Sequence, residues 1–189
     1  MQEYVPQILK YAKAGSTNLD RAHDRLLHGN STEALAECER ELQSNSISAP
    51  AYLTMALAYL MEKDHPHAID ACQRALHINP SIPEANGLLS MLYAHSQDWP
   101  QAVEYCKAAI SADPDNPNFH YQLGCLTGSL EEAEEALTKA IELDPQFALA
   151  YYKLATIQIQ CEDIGSATSC VKEALILDPS LACAQVLMG

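Results

Sequence analysis

Basic residues are scarce in this sequence: 11 lysines and arginines stand against 25 aspartates and glutamates in 189 residues, a formal charge of −14. Such a chain repels a phosphate backbone, and no Lys/Arg stripe is interleaved with aromatics, so nucleic acid is excluded as the expected partner. Long apolar runs are missing too. No continuous apolar stretch approaches the roughly 18 residues a membrane helix needs. The stretch Met1–Lys10 has no basic lead followed by an apolar block, so no secretory signal is legible and a cytoplasmic protein is expected. The seven cysteines are an odd number and include no CxxC or CxxxxC pair. That pattern supports neither a disulfide framework nor a zinc site, and it suits a reducing compartment. The histidines show no HExxH spacing and no linked serine or cysteine motif, so the expectation is a protein without catalytic apparatus or cofactor. The chain is nevertheless 48% hydrophobic, enough to bury a substantial core.

That apolar content is periodic. Ala34, Ala68, Ala102, Ala133 and Ala167 are separated by 34, 34, 31 and 34 residues. Pro80, Pro114, Pro145 and Pro179 repeat the 34, 31, 34 series, each behind Asn or Asp, and Ala75, Ala109, Ala140 and Ala174 repeat it again. The three missing residues fall between Pro114 and Ala133, and they shorten either a first helix or the inter-helix turn around Thr127–Leu130.

Within each unit, apolar positions recur at three- and four-residue intervals, as in Tyr52, Met55, Ala56 and Tyr59, then Ala68, Cys72, Ala75 and Leu76, which specifies two amphipathic helices per unit. Proline after Asn or Asp ends the second helix. Ser81 with Glu84, and Ser129 with Glu132, have the spacing of a capping box that opens the next one. Gln97–Pro100 and Lys63–Pro66 supply short turns between paired helices. A lone pair of this size cannot hide its apolar face, so neighbouring pairs must stack into an all-α superhelix with a concave and a convex face.

A 34-residue helix-turn-helix unit with small residues at fixed slots and a terminal proline resembles the tetratricopeptide repeat family. The pattern is carried by Tyr52, Met55, Ala56, Tyr59, Ala68, Cys72, Ala75 and Pro80. The resemblance covers units 49–82, 83–116, 117–147 (the short one) and 148–181, and it implies a right-handed solenoid of antiparallel helix pairs. Segment 15–48 is a divergent unit: it keeps Ala34 and Cys38 but has Arg21 and Arg25 at large apolar slots, Glu41 for the small alanine and Ser46 for the proline. Residues 182–189 begin a further repeat or a capping helix, and residues 1–14 form an N-terminal amphipathic helix.

The resemblance further implies a non-enzymatic scaffold or adaptor that binds a partner protein or peptide along the concave face of the first helices. Those slots hold Leu53, Leu57 and Met61, then Glu84, Gly87, Met91 and His95, then Asn118, Tyr121 and Cys125, then Leu149, Tyr152, Thr156 and Ile159. The set is apolar, which calls for a ligand with apolar anchors, an extended segment or an amphipathic helix. The lysine, arginine and asparagine clamp of family members that hold a C-terminal carboxylate is not reproduced: the corresponding slots hold residues such as Leu19, His23, Thr54 and Leu88, and Lys153 stands alone. A second functional expectation is a chaperone shielding an aggregation-prone client, as in the tetratricopeptide chaperones of secretion systems. Self-association through the groove or the terminal helix is also compatible with the pattern.

Other suggestive residues read structurally. Cys38, Cys72 and Cys106 are 34 residues apart and occupy one slot on successive second helices; stacked helices sit roughly 10 Å apart, beyond the reach of a disulfide at about 7 Å, so these are core thiols. His65 and His67 flank a turn without a third metal ligand. Glu131, Glu132, Glu134 and Glu135 open a second helix, where carboxylates favour the N-terminal dipole. Tyr4, Val5, Ile8, Leu9 and Ala12 share one face of the leading segment, which should either cap the first unit or occupy the apolar groove.

Overall fold

The computed structural model describes residues 17–188, and the helix expected over residues 1–14 lies outside them. The described residues form eleven helices and no strand. In order they are α1 (Thr17–Leu27), α2 (Ser31–Ser44), α3 (Ala49–Met61), α4 (His65–Ile78), α5 (Pro83–His95), α6 (Trp99–Ala112), α7 (Pro117–Leu126), α8 (Leu130–Leu143), α9 (Ala148–Gln160), α10 (Ile164–Leu177) and α11 (Ala182–Met188). The fold is all-α, built of adjacent antiparallel pairs. The chain divides into two compact units, residues 1–92 and 93–189.

The pairs close on small side chains. In unit 1, Ala34, Ala68 and Ala75 are fully buried on the second helices α2 and α4, and in unit 2 the same holds for Ala102, Ala109, Ala140 and Ala174 on α6, α8 and α10. A methyl group at these slots lets the first helix approach closely, and the leucines Leu57 and Leu89 in unit 1 and Leu137 in unit 2 fill the remaining space. Cys38, Cys72 and Cys106 occupy their shared slot as buried free thiols. Desolvation, followed by the neighbouring glutamates, pushes the Cys38 thiol up to about 12. Cys106 donates to the carbonyl of Phe119 at 3.3 Å, tying α6 to α7.

The turn inside most pairs uses one device. The second residue after the first helix adopts a left-handed conformation at Lys63, Gln97 and Glu162 (φ 61°, 63° and 62°) and at Gly29 (φ 79°). The next backbone N–H then reaches back to close the helix: Asp64 to the Tyr59 carbonyl, Asp98 to that of Tyr93 and Asp163 to that of Gln158, each at 2.9 Å. The same three aspartates cap the following helix, accepting from the N–H of His67 (3.3 Å), Gln101 (3.3 Å) and Ser166 (3.1 Å). One side chain therefore finishes one helix and starts the next, which fixes a three-residue turn. At Asp64 desolvation raises the pKa but is outweighed by the His67 side chain and N–H, and at Asp163 the Ser166 side chain and N–H lower it against desolvation, so both caps are complete above the ordinary carboxylate value and are lost as pH falls through the lowered one.

The short unit departs from this. Its first helix, α7, has 10 residues where α3, α5 and α9 each have 13, so the deletion is taken from the helix itself. No left-handed residue follows. Thr127 is extended, Ser129 accepts from the Glu132 N–H at 3.3 Å, and the Thr127 hydroxyl donates to the Glu132 carboxylate. Only half of the capping box expected at Ser129 and Glu132 forms: Ser129 caps the Glu132 N–H, but the Ser129 N–H donates to the Thr127 hydroxyl at 3.3 Å and not to Glu132. The one expected at Ser81 and Glu84 does not form: α5 begins at Pro83, and the Ser81 N–H is spent on the Asn79 side chain at 3.1 Å. Proline at the first helical position needs no capped N–H, which moves the start past Ser81. In unit 2 the truncated α7 lies against α8 through Gly124, where a Cβ would sit 2.5 Å from Leu137 Cγ and 3.2 Å from the Ala133 carbonyl oxygen.

The divergent unit 15–48 folds as a pair in spite of its substitutions. Arg21 and Arg25 face solvent, and Arg25 bonds to Glu33 at 3.0 Å. The buried Glu41 accepts from Asn18 at 3.4 Å. In unit 1 the Thr54 hydroxyl donates to the Pro50 carbonyl at 2.8 Å, so at 3.0 Å it must accept from the Nε2–H of the buried His23. Desolvation lowers the His23 pKa from its ordinary 6.5, opposed by Asp20.

Three outcomes follow from this packing. Asp98→Ala should cost about 1 kcal/mol in urea denaturation, with Asp98→Asn losing less, as for a helix N-cap. Gly124→Ala gains at most about 1 kcal/mol of helix propensity but meets the Leu137 side chain and a backbone oxygen, so a net loss of roughly 1–2 kcal/mol is expected; a double-mutant cycle with Leu137→Ala should be clearly non-additive. Because the folded His23 favours the neutral ring, unfolding binds the extra proton: stability is complete above pH 6.5 and declines as pH falls below it, and His23→Gln should flatten that slope in pH-dependent denaturation.

Candidate functional site

The slots expected to line a groove differ sharply between the two units. In unit 1, Leu53 and Leu57 on α3 are 3% and 0% exposed, and Thr54 beside them is fully buried. Met61, Glu84 and Met91 are half-buried. Leu53 and Leu57 are thus core residues in this structure, and the slots that a carboxylate clamp would use hold His23 and Thr54 turned toward each other.

In unit 2 the same slots are open. Tyr121 and Tyr152 are half-buried, Cys125 is exposed, and Leu149 and Ile159 are 42% and 38% exposed. Tyr121 packs on Phe147 with ring centroids 4.9 Å apart, and Cys125 lies beside it on α7. One repeat further on, Tyr152 lies near Cys183 at the start of α11, and the Lys153 ammonium lies 5.8 Å from the Tyr152 ring centroid. Desolvation, then these thiols, raises both phenols, which therefore stay neutral and act as apolar rings carrying one hydroxyl donor. The resulting face is aromatic and thiol-lined with a single cation at its edge, a surface suited to apolar side chains.

Of the remaining expected residues, Asn118 and Thr156 make no hydrogen bond to the rings of this patch. His95 is exposed at the end of α5. Asn118 is tied into the cap of α7, donating through its N–H and its side chain to the Asn116 Oδ1 at 3.1 and 3.2 Å. The Thr156 hydroxyl is committed to the Lys153 carbonyl at 2.6 Å. Phe147 and Cys183 belong to the patch but were not among the expected residues. Cys183 lies 34 residues after Leu149, so the repeat period carried one step further points to it, whereas Phe147 precedes its helix and carries no periodic signal.

The other suggestive residues take structural places. His67 stacks on Tyr59 at 5.2 Å and bonds to Asp64 at 2.7 Å. Glu132 pairs with Lys107 at 2.7 Å, and Lys107 and the Thr127 hydroxyl both lower its pKa against the opposing effect of desolvation. Among the described residues no three His, Cys, Asp or Glu side chains converge on one point, and no helix is long and apolar enough to cross a membrane.

Comparison with solved structures finds the same fold repeatedly. YrrB, described as a TPR protein with an unusual peptide-binding site, is 19% identical with a TM-score of 0.76, over 100% of this chain and 99% of that one. MamA from Desulfovibrio magneticus RS-1 is 19% identical with a TM-score of 0.76, over 89% and 99%. TTC0263 of Thermus thermophilus, a thermophilic TPR protein, is 20% identical with a TM-score of 0.66, over 92% and 96%. A comparison with curated proteins finds no match. Tetratricopeptide repeat family models match residues 19–83, 59–124 and 125–160, on the period read from the alanines and prolines, and the chain belongs to the tetratricopeptide repeat family.

Proposed function

We propose that the chain is a non-enzymatic scaffold or adaptor that takes an apolar segment of a partner protein on the first-helix face of unit 2. The observation that carries this reading is the open aromatic patch of Tyr121, Phe147 and Tyr152, bordered by the exposed Leu149 and Ile159. Half-exposed tyrosines give a large contact area at low entropic cost, and each retains a hydroxyl to orient a partner backbone. Lys153 at the edge suits a ligand with one acidic residue beside its apolar anchors, and a single ammonium does not hold a terminal carboxylate in the bidentate manner of a clamp. The family's general use of such faces for protein partners is consistent with this assignment, as is the peptide-binding site named for YrrB.

The test uses peptides selected from a random 12-residue phage library against the purified protein. Selected sequences should be rich in Trp, Phe, Leu and Met. Their affinity should fall at least tenfold for Tyr121→Ser/Tyr152→Ser and stay within twofold for the outward-facing Lys172→Ala. Peptides without apolar anchors, or affinity indifferent to the tyrosine changes in a protein of unaltered helicity, would overturn the assignment. A chaperone role would appear instead as stoichiometric rescue of an insoluble client in co-expression.

A further inference from the structure

One turn in unit 1 carries a side chain that its geometry does not call for. Two residues after an Asn or Asp, the backbone N–H bonds back to that side chain at Ile47, Ser81, Gln146 and Ser180, at 3.3, 3.1, 3.0 and 2.9 Å. The last three are polar, as an exposed turn slot favours. Ile47 is 70% exposed, so neither the turn nor the core accounts for an isoleucine there. It forms one wall of a surface pocket of about 390 Å³, whose other apolar surfaces come from Tyr52 on α3 and Ile78 at the end of α4. Apolar side chains gathered round a concavity mark a docking site, whereas singly scattered ones do not.

The charge at this pocket has the sign that is scarce in the rest of the chain. Arg74 and His77 line it from α4, and among the described residues no carboxylate does. The Arg74 guanidinium lies over the Tyr52 ring, 5.9 Å from its centroid, and this stacking holds it at the pocket. Its Nε pairs with Asp70 at 2.7 Å, where both side chains are 58% exposed. An exposed pair of this kind contributes little, and a guanidinium has further N–H donors for a second carboxylate. We infer that the pocket receives a partner-protein segment in which an apolar side chain stands beside an aspartate or glutamate. The apolar group enters between Ile47, Tyr52 and Ile78, and the carboxylate meets Arg74. Charge complementarity selects this occupant, since a basic segment would bring like charge against the guanidinium. The net charge of −14 opposes an acidic ligand at long range, but physiological salt screens that repulsion beyond about 8 Å and leaves the local contact to decide. The pocket lies within unit 1 and does not rest on the aromatic patch of unit 2.

The full chain carrying Tyr121→Ser/Tyr152→Ser separates this site from unit 2. Peptides selected against it from a random phage library should place Leu, Ile, Phe or Met beside Asp or Glu. Titrating the tightest of them into the nitrogen-15-labelled protein should shift the Ile47 amide and the Arg74 Nε–H resonances saturably. Its affinity, read by fluorescence anisotropy, should fall at least about fivefold for Ile47→Ser, as for loss of one well-packed anchor. That variant supplies the residue found at Ser81 and Ser180 and so keeps the turn. Arg74→Gln, a change at an exposed position, should cost as much, and so should Lys in place of the peptide's acidic residue. A selection that yields no binder, or only basic or uncharged sequences, overturns the inference. So does affinity indifferent to both variants while helical circular dichroism is unaltered. Concentration-dependent self-association in sedimentation velocity that Ile47→Ser abolishes would make a second copy the occupant and overturn it as well.

Discussion

Close helix approach at small side chains is the constraint on which this structure rests. At the buried alanine slots of α2, α4, α6, α8 and α10 any larger group would push the partner helix away, and no single pair has enough area to recover that loss. Gly124 takes the same requirement furthest. Although α7 is three residues shorter than its counterparts, it packs so closely on α8 at Gly124 that even a methyl group there meets Leu137 and the backbone of Ala133. The repeated cysteines obey the same rule, being small enough to fit and sufficiently desolvated to remain thiols.

The turns make this packing repeatable. A left-handed residue costs a non-glycine side chain about 1–2 kcal/mol, and the chain accepts that cost at Lys63, Gln97 and Glu162 because two carbonyls are closed and an aspartate is delivered to the next N-cap. In the truncated repeat the helix ends on a different part of its turn, so a left-handed exit would misdirect α8. Hydroxyls from Thr127 and Ser129 replace the aspartate, and Lys107 on α6 holds Glu132. Local hydrogen-bond chemistry changes so that the helix packing does not.

Functional character then follows from which faces are left open. Tyr121 and Tyr152 in unit 2 stay partly open to solvent, and desolvation keeps both phenols neutral, so they present uncharged rings. Leucines at the matching slots in unit 1 are withdrawn from solvent. A single repeat motif thus yields one sealed face and one receptive face, and it is the slots outside the packing signature that make the difference.

Much of this was legible in the order of residues alone. The period and the helix pairs follow from alanine and proline spacing, because small-residue contacts and helix termination are local demands that recur wherever the geometry recurs, while the deletion was narrowed only to the first helix or the turn after it. Burial on the groove side is not local. Leu57 and Tyr152 both read as ligand-facing first-helix residues, yet only the packing distinguishes a core leucine from an open tyrosine. Phe147 likewise joins the patch from a turn, outside any helical period, through its contact with Tyr121. Sequence alone thus determined the repeat, since spacing along a helix fixes which residues share a face. What covers each face depends on residues distant along the chain, and only the tertiary structure decided it.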